Sequence, residues 1–226
     1  MKIRWLGHAA FLIEGSKKVL IDPFISGNPV APVKPEDLEV DVILVTHGHS
    51  DHLGDAVEIA TRCDAPIVCI YELSVFLSDK GVGTIGMNIG GTLKLDDNVK
   101  ITMVKAVHSA DVVGKNIISA GVPVGFIINM DGISIYHAGD TDVFIDMKLI
   151  GELYKPKIAL LPIGDLYTMG IPGALKAIEL IRPEIVIPMH YNTFPAIKQN
   201  PEEFKAKAEK MGVKVVILNP GESFEI

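Results

Sequence analysis

Four side chains that can bind metal ions lie within six consecutive positions of the chain. They are His47, His49, Asp51 and His52. Residues two apart in an extended segment project to the same side, so His47 and His49 can chelate one ion. A turn into a helix then aims Asp51 and His52 at a different point nearby. The spacing therefore favours two adjacent metal ions over one.

Three further candidate ligands stand alone, each close behind an apolar run: His108, Asp140 and His190. Side chains at strand ends can be held rigidly and aimed at one rim of a sheet. Taken singly, a histidine at a strand end is more often a hydrogen-bonded structural residue. Taken together with the segment 47–52, the three residues complete a ligand set for two metal ions.

Short apolar, β-branched runs recur along the chain and predict strands at 2–6, 10–14, 19–22, 40–46, 67–70, 99–107, 124–130, 133–137, 158–162, 185–189 and 213–218. Asp131-Gly132 between two such runs is a strong hairpin signal. Helical periodicity predicts helices at 53–60, at 143–153, from Pro172 to Ile181, and from Pro201 to a stop at Gly212. Strands that alternate with helices predict an α/β protein, with helices packed outside its sheets.

The composition is that of a folded protein, with 48% hydrophobic and 22% charged residues among 226. Because no stretch is typical of a linker, we expect one domain over residues 1–226. The formal charge of −7 disfavours general binding to nucleic acid, which needs many cations. We interpret the segment 109–123 as a long irregular loop, either a lid over the site or an ordinary surface loop.

Targeting signals are weak in this sequence. No apolar run approaches the ~18 residues that span a bilayer, so no membrane association is expected. The first eight residues lose their apolar character too early for a signal peptide. Only two cysteines occur, Cys63 and Cys69, which implies no disulfide framework and suits a reducing compartment. We therefore expect a cytoplasmic protein. The expected partner is a small-molecule substrate.

The candidate ligands stand in a recognisable order: His47-Gly48-His49-Ser50-Asp51-His52, His108, Gly139-Asp140-Thr141 and His190. This order resembles the metallo-β-lactamase superfamily over nearly the whole chain. The opening Trp5–Phe11 and the segment Leu20–Pro23 resemble a branch of small, mostly uncharacterised metal-dependent hydrolases, similar to ascorbate-phosphate lactonases. The resemblance implies an αββα sandwich of two sheets, with a dinuclear metal site at one edge.

Position by position, the resemblance implies that one ion is held by His47, His49 and His108. It implies that the second ion is held by Asp51, His52 and His190, and that Asp140 bridges the two. The implied cofactors are two divalent ions, with zinc favoured by the family and manganese, nickel or iron as alternatives. Two such ions bring the pKa of a bridging water toward neutral, so hydroxide is available at pH 7. Asp51 is then a catalytic candidate, because it can orient that water or accept its proton.

Three residues outside this set need separate interpretation. His8 is either an extra metal ligand or a catalytic hydrogen-bond donor, and the ligand role would favour nickel, manganese or iron over tetrahedral zinc. Asp22 follows a strand, and we expect it to hydrogen-bond a ligand histidine. His137 is expected to be structural or to bond a ligand carboxylate.

The first functional hypothesis is a hydrolase of a small anionic ester, lactone or phosphodiester. A nuclease is the alternative, against which the negative charge and the lack of a basic arm count. A di-iron oxidoreductase of the same superfamily would carry a carboxylate where His49 stands. A non-catalytic metal sensor is disfavoured by the complete ligand set. The sequence leaves the substrate, the metal and any homo-oligomer open.

Overall fold

The structure is a computed structural model that describes all residues from 1 to 226. Its strands are β1 (Lys2–Trp5), β2 (Phe11–Glu14), β3 (Lys18–Ile21), β4 (Val42–Leu44), β5 (Ile67–Ile70), β6 (Thr84–Met87), β7 (Thr92–Lys94), β8 (Val99–Lys105), β9 (Val112–Val113), β10 (Ile117–Ile118), β11 (Val124–Met130), β12 (Ile133–His137), β13 (Ile158–Pro162), β14 (Ile185–Met189), β15 (Lys214–Val215) and β16 (Ser223–Glu225). Its helices are α1 (Ser50–Leu53), α2 (Ala56–Cys63), α3 (Tyr71–Ser78), α4 (Met147–Tyr154), α5 (Ile171–Ile181) and α6 (Pro201–Ala208). None of these helices has the length and apolar character needed to cross a bilayer.

Two seven-stranded sheets dominate the fold. The first has the strand order β16-β1-β2-β3-β4-β5-β6, and the second has the order β15-β14-β13-β12-β11-β8-β7. Buried side chains of both sheets belong to one continuous apolar core. Helices α2 and α3 contact the first sheet, whereas α6 contacts the second and α5 packs against α4 and α6. This layered sandwich of sheets and helices is the α/β architecture that the sequence predicts.

The strands that precede the candidate ligands run in one direction within each sheet. In the first sheet, β1 and β3 are each antiparallel to β2, and β4 is parallel to β3. In the second sheet, β8 and β12 are each antiparallel to β11, and β13 and β14 continue parallel to β12. The carboxyl ends of β1, β3 and β4 therefore share one edge, as do those of β8, β12 and β14. The topology thus brings the segments that follow these strands, which carry the candidate ligands, to the same edge of each sheet.

The most apolar strands have the bounds that the sequence predicts. Strands β5, β11, β12, β13 and β14 begin and end at the predicted residues. The turn between β11 and β12 has two residues, Asp131 and Gly132, with φ of +52° and +80°. Positive φ at both positions is the requirement of a tight type I′ hairpin turn, so this prediction is confirmed.

Three segments near the site differ from their predictions. The strand predicted at 40–46 is limited to Val42–Leu44, and beyond it the amide of Thr46 donates to the Asp22 side chain (2.8 Å) instead of to a neighbouring strand. The helix predicted at 53–60 is broken into α1 and α2, because Asp55 is tied to the preceding loop: its Oδ2 accepts hydrogen bonds from Ile25 N (2.9 Å) and Ser26 N (2.8 Å). The loop at 109–123 is not wholly irregular, since β9 and β10 form a small hairpin within it.

Candidate metal centre

One group of histidines lies where β4 and β8 end. Ring nitrogens of His47, His49 and His108 lie within 4.8 Å of one another, and Nε2 of His47 is 2.9 Å from Nδ1 of His49. A side chain at Gly48 would place its Cβ 2.7 Å from the carbonyl oxygen of Ala110, so glycine permits this close approach of the loop after β8. The three rings form a compact set of nitrogen donors that suits one ion.

A second group lies beside the first and combines three histidines with one carboxylate: His8, Asp51, His52 and His190. The Oδ2 atom of Asp51 is 3.1 Å from Nε2 of His8, 3.9 Å from Nε2 of His190 and 4.0 Å from Nε2 of His52. The histidines are buried, but the Asp51 side chain is 32% exposed. This carboxylate is therefore the part of the group that solvent reaches.

Asp140 lies between the two groups. Its Oδ2 atom is 3.2 Å from Nε2 of His52, 3.1 Å from Nε2 of His190 and 3.6 Å from Nε2 of His108. The preceding Gly139 has φ of +61°, and a Cβ there would lie 2.8 Å from the carbonyl oxygen of Val124. Glycine thus allows the tight turn after β12 that delivers this carboxylate to both groups.

The backbone is strained at this edge of the sandwich. His8, Asp22 and His190 have φ of +55°, +44° and +53°, in the left-handed region that residues with a Cβ rarely adopt. The amide of His190 donates to the carbonyl oxygen of His8 over 2.9 Å and so ties the two sheets together here. Left-handed residues of this kind concentrate at functional sites, where the surrounding structure enforces them.

Several buried polar atoms at this edge have no hydrogen-bond partner: His52 Nε2, His190 Nδ1, His190 Nε2 and Asp140 Oδ1. A buried polar atom left unpaired costs on the order of 1–3 kcal/mol, so such atoms need a reason. Imidazole nitrogens and carboxylate oxygens are the donors that zinc and neighbouring transition metals bind. The donor set therefore fits the metal ions that the resemblance implies.

The charges of the centre hold its carboxylates ionised. Burial raises the pKa of Asp140, but the neighbouring His190 and His52 rings outweigh burial and hold that pKa well below its ordinary value. Burial likewise raises the pKa of Asp51, yet its hydrogen bond with His8 and the charge of His52 bring the net pKa below normal. For His52, burial lowers the pKa, and the carboxylates of Asp140 and Asp22 raise it well above normal. The site is a concentrated set of carboxylate and imidazole groups that could bind metal ions.

The structure brings all eight predicted ligand candidates to one edge of the sandwich: His8, His47, His49, Asp51, His52, His108, Asp140 and His190. Asp22 Oδ2 accepts a hydrogen bond from Nδ1 of His52 at 2.7 Å, which confirms the contact predicted for it. His137 is structural: its Nε2 donates to the carbonyl oxygen of Ala9 (2.9 Å), and its Nδ1 accepts from the amide of Gly139 (3.1 Å). No ligand carboxylate bonds this ring.

Comparison with known proteins assigns the family. A model of the beta-lactamase superfamily domain matches residues 2–190. The chain belongs to this superfamily. It is similar to a UPF0173 metal-dependent hydrolase of Archaeoglobus fulgidus, with 64% identity over 100% of this chain and 99% of the relative. A UPF0173 metal-dependent hydrolase of Methanosarcina mazei is 55% identical over the same shares.

A solved structure agrees with the fold. The structure of a metallo hydrolase from the archaeon Ignicoccus hospitalis superposes with a TM-score of 0.90 at 46% identity, covering 100% of this chain and 98% of that one. The full-length identity to metal-dependent hydrolases and this structural match make the chain a metal-dependent hydrolase of the beta-lactamase superfamily. The fold that the resemblance implied, an αββα sandwich, is confirmed.

Two threonines that contact the candidate ligands or their partners were not predicted from the sequence. Thr46 precedes His47 directly, and its hydroxyl contacts both Asp22 and the His47 ring. Thr193 places its Oγ1 2.9 Å from Nδ1 of His8, although 185 positions separate them. Adjacency to the histidine motif could have drawn attention to Thr46, whereas only the folded chain reveals the partner of His8.

We expect the metal-free form of this superfamily member to lose stability as the pH falls from about 6.5 to 4. Burial lowers the pKa of His8 from 6.5 to about 4, and burial also lowers the pKa of His47 and His49. In this window the unfolded chain binds protons that the folded chain excludes, so unfolding becomes easier as the pH falls. His8 alone contributes about 3 kcal/mol.

Urea denaturation of the metal-free protein at pH 6.5 and pH 4.5 measures this loss. The raised pKa of His52 adds no opposing trend, because its contribution is fully present below pH 6.5 and declines only above it. A His8→Gln variant should show a smaller difference between the two pH values. Equal free energies of unfolding at both pH values in the wild-type protein would contradict the prediction.

Proposed function

We propose that this chain holds two divalent metal ions side by side and uses them to hydrolyse an ester, lactone or phosphodiester bond of a small anionic substrate. His47, His49 and His108 would hold one ion, and Asp51, His52 and His190 the other. The position of Asp140 carries the proposal, because its carboxylate lies within 3.6 Å of Nε2 atoms from both groups. A ligand shared in this way is expected of a dinuclear centre. Zinc suits the nitrogen-rich set, and manganese, nickel and iron are the alternatives.

The bound ions would make hydroxide available near pH 7 by lowering the pKa of water, and would stabilise negative charge that develops on the substrate. The protein itself must orient the attacking water. Asp51 is suited to this task, since it is ionised, partly open to solvent and fixed by Nε2 of His8 at 3.1 Å. Its carboxylate can accept a hydrogen bond from water that enters from the open side.

The contacts of His8 favour the hydrogen-bonding role over the role of an extra ligand. Its Nε2 faces Asp51 Oδ2, and its Nδ1 lies 2.9 Å from Thr193 Oγ1, so both ring nitrogens have partners. A neutral ring with its proton on Nε2 satisfies both contacts, because Nε2 donates to the carboxylate and Nδ1 accepts from the hydroxyl. The Nε2 atoms of His52 and His190, in contrast, have no hydrogen-bond partner and face the Asp140 carboxylate at 3.2 and 3.1 Å.

We expect a His8→Ala variant to keep two ions per chain while its kcat falls about 10- to 100-fold, the usual effect of removing a group that orients a ligand. Elemental analysis gives the metal content, and initial rates give kcat. A Thr193→Val variant is the matched control, because it removes only the partner of Nδ1 and should have a smaller effect. Loss of one ion from the His8→Ala protein would instead assign His8 as a ligand.

Metal reconstitution followed by a substrate screen tests the proposed function. The purified protein is stripped of metal, reloaded with zinc, manganese or nickel, and offered small phosphodiesters, thioesters, esters, lactones, β-lactams and an RNA oligonucleotide. We expect two ions per chain and turnover of a small anionic ester, lactone or phosphodiester. Saturation at one ion, or cleavage confined to RNA, would contradict the proposal.

A further inference from the structure

A buried carboxylate at the end of β3 is linked by hydrogen bonds to one histidine of each metal group, directly to His52 and through Thr46 to His47. Asp22 is fully buried, and its Oδ1 accepts a hydrogen bond from the amide of Thr46 at 2.8 Å. Its Oδ2 accepts two more, from Thr46 Oγ1 and from Nδ1 of His52, each at 2.7 Å. Thr46 Oγ1 in turn lies 3.0 Å from Nδ1 of His47. One chain of hydrogen bonds therefore joins His52 to His47 through Asp22 and Thr46.

The number of hydrogens in this chain decides which atoms donate. The Thr46 hydroxyl has a single hydrogen, and it donates that hydrogen to the Asp22 carboxylate, which accepts. In its contact with His47 the hydroxyl can therefore only accept, so Nδ1 of His47 carries the hydrogen. The Nε2 atom of His47 is then left as the nitrogen with a free electron pair, and it faces the first group at His49. The His52 ring has the same orientation, since its Nδ1 donates to Asp22 and its Nε2 faces Asp140.

We propose that Asp22 and Thr46 act as one positioning unit that fixes which ring nitrogen of His47 and of His52 faces the proposed metal sites, with Thr46 serving the first site alone. Asp22 acts on His52 directly, and it acts on His47 only through the Thr46 hydroxyl. The unit would make the metal affinity of the first site depend on a single hydroxyl group. Both residues are positioning residues, since both are fully buried and neither belongs to a group of candidate ligands. This inference rests on the proposed dinuclear site.

A Thr46→Val variant tests the inference, because valine keeps the shape and removes the hydroxyl. Stepwise titration of the metal-free protein with Co²⁺, followed by absorption and calorimetry, resolves the two binding steps. We expect Thr46→Val to weaken one step about 10- to 100-fold, the usual cost of losing a partner of a metal-bound histidine, and to leave the other nearly unchanged. Thr46→Ser retains the hydroxyl and should bind both ions as the wild type does. Wild-type binding at both steps in Thr46→Val, or equal weakening of both, would overturn the inference.

A direct measurement of the tautomer needs no variant that might fail to fold. Long-range ¹H–¹⁵N correlation spectra of the metal-free wild-type protein report which ring nitrogen of His47 carries hydrogen. A hydrogen on Nδ1 supports the positioning unit, and a hydrogen on Nε2 overturns it. This result is independent of stoichiometry: if the wild type bound only one ion, the proposed function would fail while the tautomer measurement would still judge the role of Thr46.

Discussion

An Asp140→Ala variant is expected to bind neither metal ion tightly and to turn over substrate at least about 10³-fold more slowly than the wild type. The carboxylate lies between both histidine groups and supplies their shared negative charge. Its removal leaves each proposed site one ligand short and removes the negative charge that lies nearest to both groups of imidazole rings. A loss of several kcal/mol of transition-state stabilisation corresponds to this fall in rate. Elemental analysis after gel filtration measures the ions, and initial rates measure the turnover.

Asp142→Ala is the matched control for this variant. Asp142 is an exposed aspartate two positions further along the same loop, and its side chain bonds only the adjacent amide of Val143. Its loss should leave metal content and turnover within about twofold of the wild type, as for most surface substitutions. Two ions bound to Asp140→Ala with wild-type affinity would show that Asp140 is no bridging ligand.

Substitution of one histidine from either group is expected to leave one ion per chain. His47→Ala removes a candidate ligand of the first group, and His190→Ala removes a candidate ligand of the second. Because the groups share only Asp140, the untouched group retains its own ligands. Each variant should lose at least about 10²-fold in turnover, since one ion no longer supplies its share of charge stabilisation. Elemental analysis and titration with a coloured chelator give the stoichiometry of each.

His137→Gln controls for the general effect of altering a buried histidine. The His137 ring bonds backbone groups of Ala9 and Gly139 and belongs to neither group. This variant should be less stable yet bind two ions per chain. Complete loss of both ions from His47→Ala or from His190→Ala would contradict two separable sites, as would two ions retained in either.

The central strands could be predicted from sequence because burial on both faces makes their residues uniformly apolar. The strands β13 and β14 are such cases, since every residue in them is buried. The prediction omitted β6 and β7. The strand β6 is an edge strand of the first sheet, β7 is an edge strand of the second sheet, and both are only partly buried. It also omitted α3, which follows β5 without a break and continues its apolar character through Leu73 and Leu77. Prediction from hydrophobic patterns fails where a strand is partly exposed to solvent or where a helix follows a strand with no intervening loop.

The ligand candidates were accessible from sequence because their residue types are distinctive and they follow apolar strands. What the sequence could not supply was the identity of the ring atoms that face the centre. The choice between Nδ1 and Nε2 depends on partners that the chain brings from elsewhere, such as Asp22 for His52 and Thr193 for His8. A common threonine in a loop carries no sign of such a role until the fold is known.

Each proposed metal site draws ligands from both sheets. His47 and His49 follow a strand of the first sheet and His108 a strand of the second, and likewise His52 and His190 come from opposite sheets. Ions held there would cross-link the two sheets of the sandwich. Metal binding would then add to the free energy of folding, by about 2.7 kcal/mol per site at a hundredfold excess over Kd. The metal supply of the cell would thus govern how long the protein survives as well as whether it works.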